Sequence, residues 1–116
     1  DMSKIITTEA LLQRLRVNPD LVLFEALPKK YYLEGHLPGA RHIPHDRVSE
    51  LAASVLPDKS AEIVVYCASD TCQNSDIAAK LLTQLGYANV AVYRGGKKGW
   101  AEAGLPLERE ALATTS

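Results

Sequence analysis

Ile63-Val64-Val65-Tyr66-Cys67-Ala68-Ser69-Asp70-Thr71-Cys72-Gln73-Asn74-Ser75 passes from an unbroken apolar run into a polar segment, and the reading of that change decides the fold. Four consecutive apolar residues, three of them β-branched, predict a strand buried on both faces, the kind found in parallel sheets. Beyond the polar segment, Ile77, Ala78, Leu81, Leu82 and Leu85 recur at helical spacing. Ser75 is the predicted cap of that helix and Gly86 its stop at C′. A strand, an irregular loop from Cys67 to about Asn74 and a helix therefore follow one another.

The same alternation extends outward in both directions. Toward the amino terminus, Leu21–Phe24 is a second apolar run, and Ile5-Ile6 a short first strand. Between them Thr8 is the predicted cap of a helix carrying Leu11, Leu12 and Leu15, which Asn18-Pro19 ends. Gly35 and Pro38-Gly39 mark a turn, and Ala40–Ile43 a further strand. A helix over about Asp46–Val55 presents Val48, Leu51, Ala52 and Val55 at i, i+3, i+4 and i+7, and Pro57 closes it. Toward the carboxyl terminus, Val90–Tyr93 is the last strand, and Gly95-Gly96 leads into a short helix containing Trp100. Strands alternating with helices predict an α/β domain with a mostly parallel sheet.

The chain has 116 residues, 47% hydrophobic and 23% charged, with a formal net charge of −1. These values predict one folded domain over 1–116, its core at about 4–108 and a flexible tail over 109–116. The apolar fraction excludes a mainly disordered chain, and the near-neutral charge argues against a nucleic-acid partner. Apolar stretches such as Ile63–Ala68 are far shorter than the roughly 20 residues a membrane span requires. No basic-plus-apolar leader precedes Met2, so the expected location is cytoplasmic. Two cysteines are too few for a disulfide scaffold, which points their use toward chemistry.

Cys67 stands where a buried strand gives way to a loop entering a helix. In open α/β sheets, sites form at the carboxyl ends of strands. A helix N-terminus offers unpaired N–H groups and partial positive charge, and both favour an anion such as a thiolate. An ordinary thiol with a pKa of about 8.5 is only a few per cent ionised at neutral pH, whereas one lowered to about 6.5 is mostly ionised.

Three separated motifs then occur in order: Gly35-His36-Leu37-Pro38-Gly39-Ala40-Arg41-His42-Ile43-Pro44, Ile63–Cys67, and Arg94-Gly95-Gly96 with Trp100 four residues on. Together they resemble the rhodanese homology domain from about Ile6 to Pro106. The resemblance implies a three-layer α/β/α fold with a central five-stranded parallel sheet. It implies a sulfurtransferase in which Cys67 accepts sulfane sulfur as a persulfide and passes it to a thiol or cyanide. The donor would be thiosulfate, a polysulfide or a persulfide, the acceptor a small molecule or protein thiol, and no cofactor is implied. Backbone N–H groups of Ala68, Ser69, Asp70, Thr71, Cys72 and Gln73 would hold the terminal sulfur.

The chain departs from the family pattern at the loop. Single-domain members usually have a glycine in the cysteine loop and an arginine at its end; here neither is present, and the loop is two residues longer counted to Ala78-Ala79. Glu25-Ala26-Leu27 stands where Asp-Val-Arg is usual. Without an arginine between Cys67 and Tyr93, the bidentate grip that phosphatase and arsenate-reductase relatives need is missing. Arg94, Lys97 and Lys98 follow the last strand and are candidates for electrostatic support; solvated surface cations are the other reading.

Cys72 has two readings: a resolving thiol that attacks a Cys67 persulfide, or a small filler at the loop base. The alternatives to the enzyme are an idle rhodanese-like module that binds or regulates, and a Cys67/Cys72 thiol redox switch. Cys67 and Cys72 lack zinc-knuckle spacing, so no metal site is expected, and His36 and His42 are read as hydrogen-bonding groups of the turn. Gly35 and Gly39 suit positive φ, Gly95-Gly96 a close passage beside the loop, and Tyr93 and Trp100 packing.

Overall fold

A computed structural model describes residues 4–109 of the chain. The residues expected to form most of the tail, 110–116, lie outside it. The described part is a five-stranded sheet, with β1 (Lys4–Ile6), β2 (Val22–Glu25), β3 (Arg41–His42), β4 (Glu62–Tyr66) and β5 (Asn89–Tyr93) in the order β1-β5-β4-β2-β3. Every pairing is parallel. The helices are α1 (Thr8–Val17), α2 (Lys29–Glu34), α3 (Val48–Val55), α4 (Asn74–Gln84) and α5 (Gly96–Glu102).

Alternation along the strands divides the apolar residues between two cores. Phe24, Ile63, Val65 and Val92 pack with Val48, Ala52, Ala78, Ala79 and Leu82 of α3 and α4. Leu23, Val64, Tyr66 and Tyr93 pack with Leu11 of α1 and Trp100 of α5 on the other face. The sheet is therefore the middle of three layers, as the family resemblance implies. Both faces of β4 are covered, which is why its apolar run is unbroken. Tyr93 meets Trp100 edge-on, with ring centroids 6.5 Å apart, so both serve packing.

Several local expectations change. Thr7 rather than Thr8 caps α1, its side chain accepting from the Ala10 amide at 3.1 Å. Thr8 turns instead toward the sheet, its hydroxyl 2.6 Å from that of Tyr93. The helix expected over Asp46–Val55 is a 3-10 turn at His45–Arg47 followed by α3. α2 has no counterpart in the reading, because it is a six-residue segment with no buried residue, and so carries no apolar stripe. The strand expected at Ala40–Ile43 reduces to Arg41–His42, and Gly39 has the positive φ (+78°) its turn requires.

Register aligns the carboxyl ends of the strands into one row: Tyr93 beside Tyr66, Tyr66 beside Glu25, and Glu25 beside His42. Cys67 follows directly on Tyr66, at the centre of that row.

Candidate active site

Cys67 is 1% exposed, with its Sγ 3.4 Å from the hydroxyl of Ser75. It is joined to Cys72 by a disulfide whose Cα atoms are 6.3 Å apart, so the five-residue spacing permits the two sulfurs to meet. Ser75 is not the helix cap. α4 begins one residue earlier, with Gln73 at the cap position, and Ser75 is buried inside the first turn beside the sulfur.

The base of the loop is clasped by α5. The amides of Lys97 and Lys98 donate to the carbonyls of Cys67 and Ala68 at 3.0 and 2.9 Å. Gly96, at φ +64°, makes that approach possible; a Cβ there would stand 2.8 Å from the carbonyl carbon of Ala68. The close passage expected of the glycine pair is thus made at Gly96, whereas Gly95 has an ordinary φ of −60°.

The loop amides are unevenly occupied. The Cys72 amide donates to the Ser69 carbonyl at 3.1 Å, which removes it from the predicted cradle. Among the described residues, the amides of Ala68, Ser69, Asp70, Thr71 and Gln73 have no protein acceptor. The first-turn amides of α4 add further free donors, as at any helix start. Asp70 is exposed, and Ser69 and Thr71 pair through their hydroxyls at 3.1 Å.

The three candidate cations separate. Arg94 pairs with Asp76 in the first turn of α4 at 2.8 Å. Lys97 reaches the fully buried carboxylate of Glu25 at 2.9 Å and donates to the Tyr31 carbonyl at 2.6 Å. Lys98 alone of the three is exposed, and it has no ion-pair partner among the described residues. Two of the three charges are therefore already compensated, and neither stands free as support. The Glu25–Lys97 pair escaped the sequence reading. Its one signal was an acidic residue completing an apolar strand.

Glu25 also accepts from the Tyr66 hydroxyl at 2.8 Å, and the Tyr66 oxygen accepts from the Leu37 amide at 3.0 Å. Burial, reinforced by the Glu25 charge, pushes the Tyr66 phenol far above its usual pKa. His36 stacks on Tyr32 at 3.9 Å with its Nδ1 2.9 Å from the Tyr32 carbonyl, and His42 Nε2 lies 2.6 Å from the Leu27 carbonyl. Both histidines organise the turn. No group of three or more His, Cys, Asp or Glu is placed to hold a metal among the described residues. A cleft of about 570 Å³ lies elsewhere, lined by Lys4, Arg14, Glu62 and Asn89 near the amino ends of β1, β4 and β5. It is remote from the cysteine loop, which is the chemically equipped end of the sheet.

Residues 7–103, a span that contains the cysteine at the tip of the central strand and the glycine-led helix clasping its loop, match the family model of the Rhodanese-like domain. The chain belongs to the rhodanese-like domain family. A protein named Sulfurtransferase from Allochromatium vinosum is 33% identical to this rhodanese-like domain over 102 residues, 88% of this chain and 92% of that one. The HTH-type transcriptional regulator Rv0324 of Mycobacterium tuberculosis is 31% identical over 90% of this chain, which spans only 45% of the regulator. Among solved structures, a Thiosulfate sulfurtransferase from Pseudomonas aeruginosa superposes with a TM-score of 0.82 at 25% identity, covering 94% of this chain and 21% of that one. No helix among the described residues is long and apolar enough to cross a membrane.

Proposed function

We propose that this rhodanese-like domain is a sulfurtransferase that carries sulfane sulfur as a persulfide on Cys67. The observation that supports this most directly is the loop itself: a cysteine at a strand terminus beside five amides without protein acceptors. Such groups stabilise a thiolate, and after loading they stabilise the negative terminal sulfur of the persulfide. In the first half-reaction the Cys67 thiolate attacks the sulfane sulfur of a donor, forming a new S–S bond as the old one breaks. In the second, a thiol or cyanide attacks the terminal sulfur, and the Cys67 thiolate leaves. Dividing transfer into two displacements predicts ping-pong kinetics. Ser75, 3.4 Å from Cys67 Sγ, is positioned to hydrogen-bond the sulfur in both states.

The Cys67–Cys72 disulfide supports a second use of the same site. Cys72 attacks Cys67 Sγ of the persulfide, the new disulfide forms, and hydrosulfide leaves with the thiol proton. The two cysteine sulfurs are oxidised as the sulfane sulfur is reduced, and an external dithiol returns the pair to thiols.

The test is mass spectrometry of the reduced protein after exposure to thiosulfate, polysulfide or an alkyl persulfide. A gain of one sulfur on the Cys67 peptide, released by cyanide as thiocyanate and absent in Cys67→Ala, is the expected result. A protein that takes up no sulfur from any donor is an idle binding or regulatory module.

A further inference from the structure

The ion pairs around the cysteine loop carry information about the donor. Thiosulfate presents two negative charges beside the sulfur to be transferred, and a site that holds it needs uncompensated positive charge there. This site offers little. Lys97 is paired with Glu25, whose carboxylate is fully buried and adjacent in register to Tyr66, the residue before Cys67. Arg94 is paired with Asp76 in the first turn of the helix that the loop enters. The loop itself holds no cation from Cys67 to Asp76, and Asp70 adds a negative charge. Lys98 is exposed, where water and salt screen its charge. What remains for an incoming anion is peptide N–H groups, which suit a single charge held at one sulfur.

We infer that Glu25 and Asp76 are specificity-determining residues: by neutralising Lys97 and Arg94 they set this site to take sulfur from singly charged donors of the alkyl persulfide class and to disfavour the thiosulfate dianion. The inference rests on the persulfide reading of Cys67. The favoured step balances without another reagent. The donor anion R–S–S⁻ takes up a proton from solvent and reacts as R–S–SH: Cys67–S⁻ attacks its outer sulfur, the S–S bond of the donor breaks, and R–SH departs with that proton while Cys67–S–S⁻ remains. With thiosulfate the same attack expels sulfite, which leaves carrying both charges from a site where, among the described residues, only the solvent-screened Lys98 is unpaired.

The experiment is a competition between donors. Loading rates of reduced protein are measured with 2-hydroxyethyl persulfide and with thiosulfate, for the native chain, Glu25→Gln and Asp76→Asn. The native ratio is expected to favour the persulfide by about tenfold or more, the effect of one missing charge-assisted hydrogen bond. Each variant frees one cation: Glu25→Gln is expected to shift the ratio toward thiosulfate by about tenfold, and Asp76→Asn, whose partner Arg94 has a side chain 40% exposed, by about two- to fivefold. A ratio is independent of the fraction of protein folded. Asp76 is on the surface, so its variant decides the matter even where Glu25→Gln folds poorly. A native preference for thiosulfate, or a ratio unmoved in Asp76→Asn, overturns the inference while leaving persulfide chemistry in place. Absence of loading with both donors overturns the reading of Cys67 itself.

Discussion

Glu25 and Lys97 lie 72 positions apart in sequence and meet at 2.9 Å beneath the cysteine loop, the carboxylate fully buried and the lysine side chain 16% exposed. Glu25 Oε1 also accepts from Tyr66, whereas Oε2 has no hydrogen bond of good geometry and depends on the ammonium for compensation. The main chain of Lys97 holds the Cys67 carbonyl, so one residue links the buried charge to the loop.

Removing one partner strands the other. Lys97→Met leaves a buried carboxylate and is expected to destabilise the fold by about 3–5 kcal/mol, the range for breaking buried pairs. Glu25→Gln/Lys97→Met is expected to recover much of that loss, because no charge is left uncompensated. Urea unfolding of the single and double variants checks this; equal losses in both contradict it.

The clasp at Gly96 predicts a contrast between two glycines with similar backbone. Gly96 (φ +64°) and Gly104 (φ +80°) both carry strain on substitution, but only Gly96 has neighbours where a Cβ would stand. Gly104→Ala is expected to cost about 1 kcal/mol, and Gly96→Ala at least about 2 kcal/mol more through the clash with the loop backbone. Gly96→Ala is also expected to slow sulfur loading, because Cys67 is displaced with the loop. Thermal unfolding and loading rates measure the two effects.

The Tyr66 phenol keeps its proton in the folded protein far beyond the usual range, chiefly because it is buried. In the unfolded chain it ionises near pH 10. The stability it contributes is therefore complete below about pH 10 and declines as the pH rises further, since only the unfolded state releases the proton. Urea midpoints taken from about pH 8 to 11 are expected to fall more steeply for the native chain than for Tyr66→Phe. Parallel profiles contradict the assignment.

Cys72→Ser separates the two uses proposed for Cys67. Thiocyanate formation is expected to persist, while hydrosulfide release in the absence of an added thiol is lost. Release undiminished in the variant removes Cys72 from the chemistry.

The fold was legible where it rests on short-range pattern. The apolar run Ile63–Tyr66 is buried on both faces as its composition requires, and Gly86 ends α4 with positive φ (+102°). The caps were legible only to within one or two residues, because Thr7 and Thr8 are chemically alike and only tertiary contact with Tyr93 sends Thr8 inward. Cys67 announced itself by its place after a buried strand. Arg94 and Lys97 were legible as cations after the last strand, but their partners Asp76 and Glu25 were not, since the pairings span 18 and 72 positions. A charged residue at the end of a strand reads locally as a surface group, and only the assembled sheet shows that water cannot reach it.

We propose that peptide N–H groups, without an arginine, keep the sulfur of reduced Cys67 ionised near neutral pH. Its most direct test is the pH dependence of Cys67 alkylation by iodoacetamide in the Cys72→Ser protein. The account predicts a midpoint well below the ordinary thiol value of about 8.5. A midpoint at or above that value, with a side chain that burial keeps from the reagent, would contradict it.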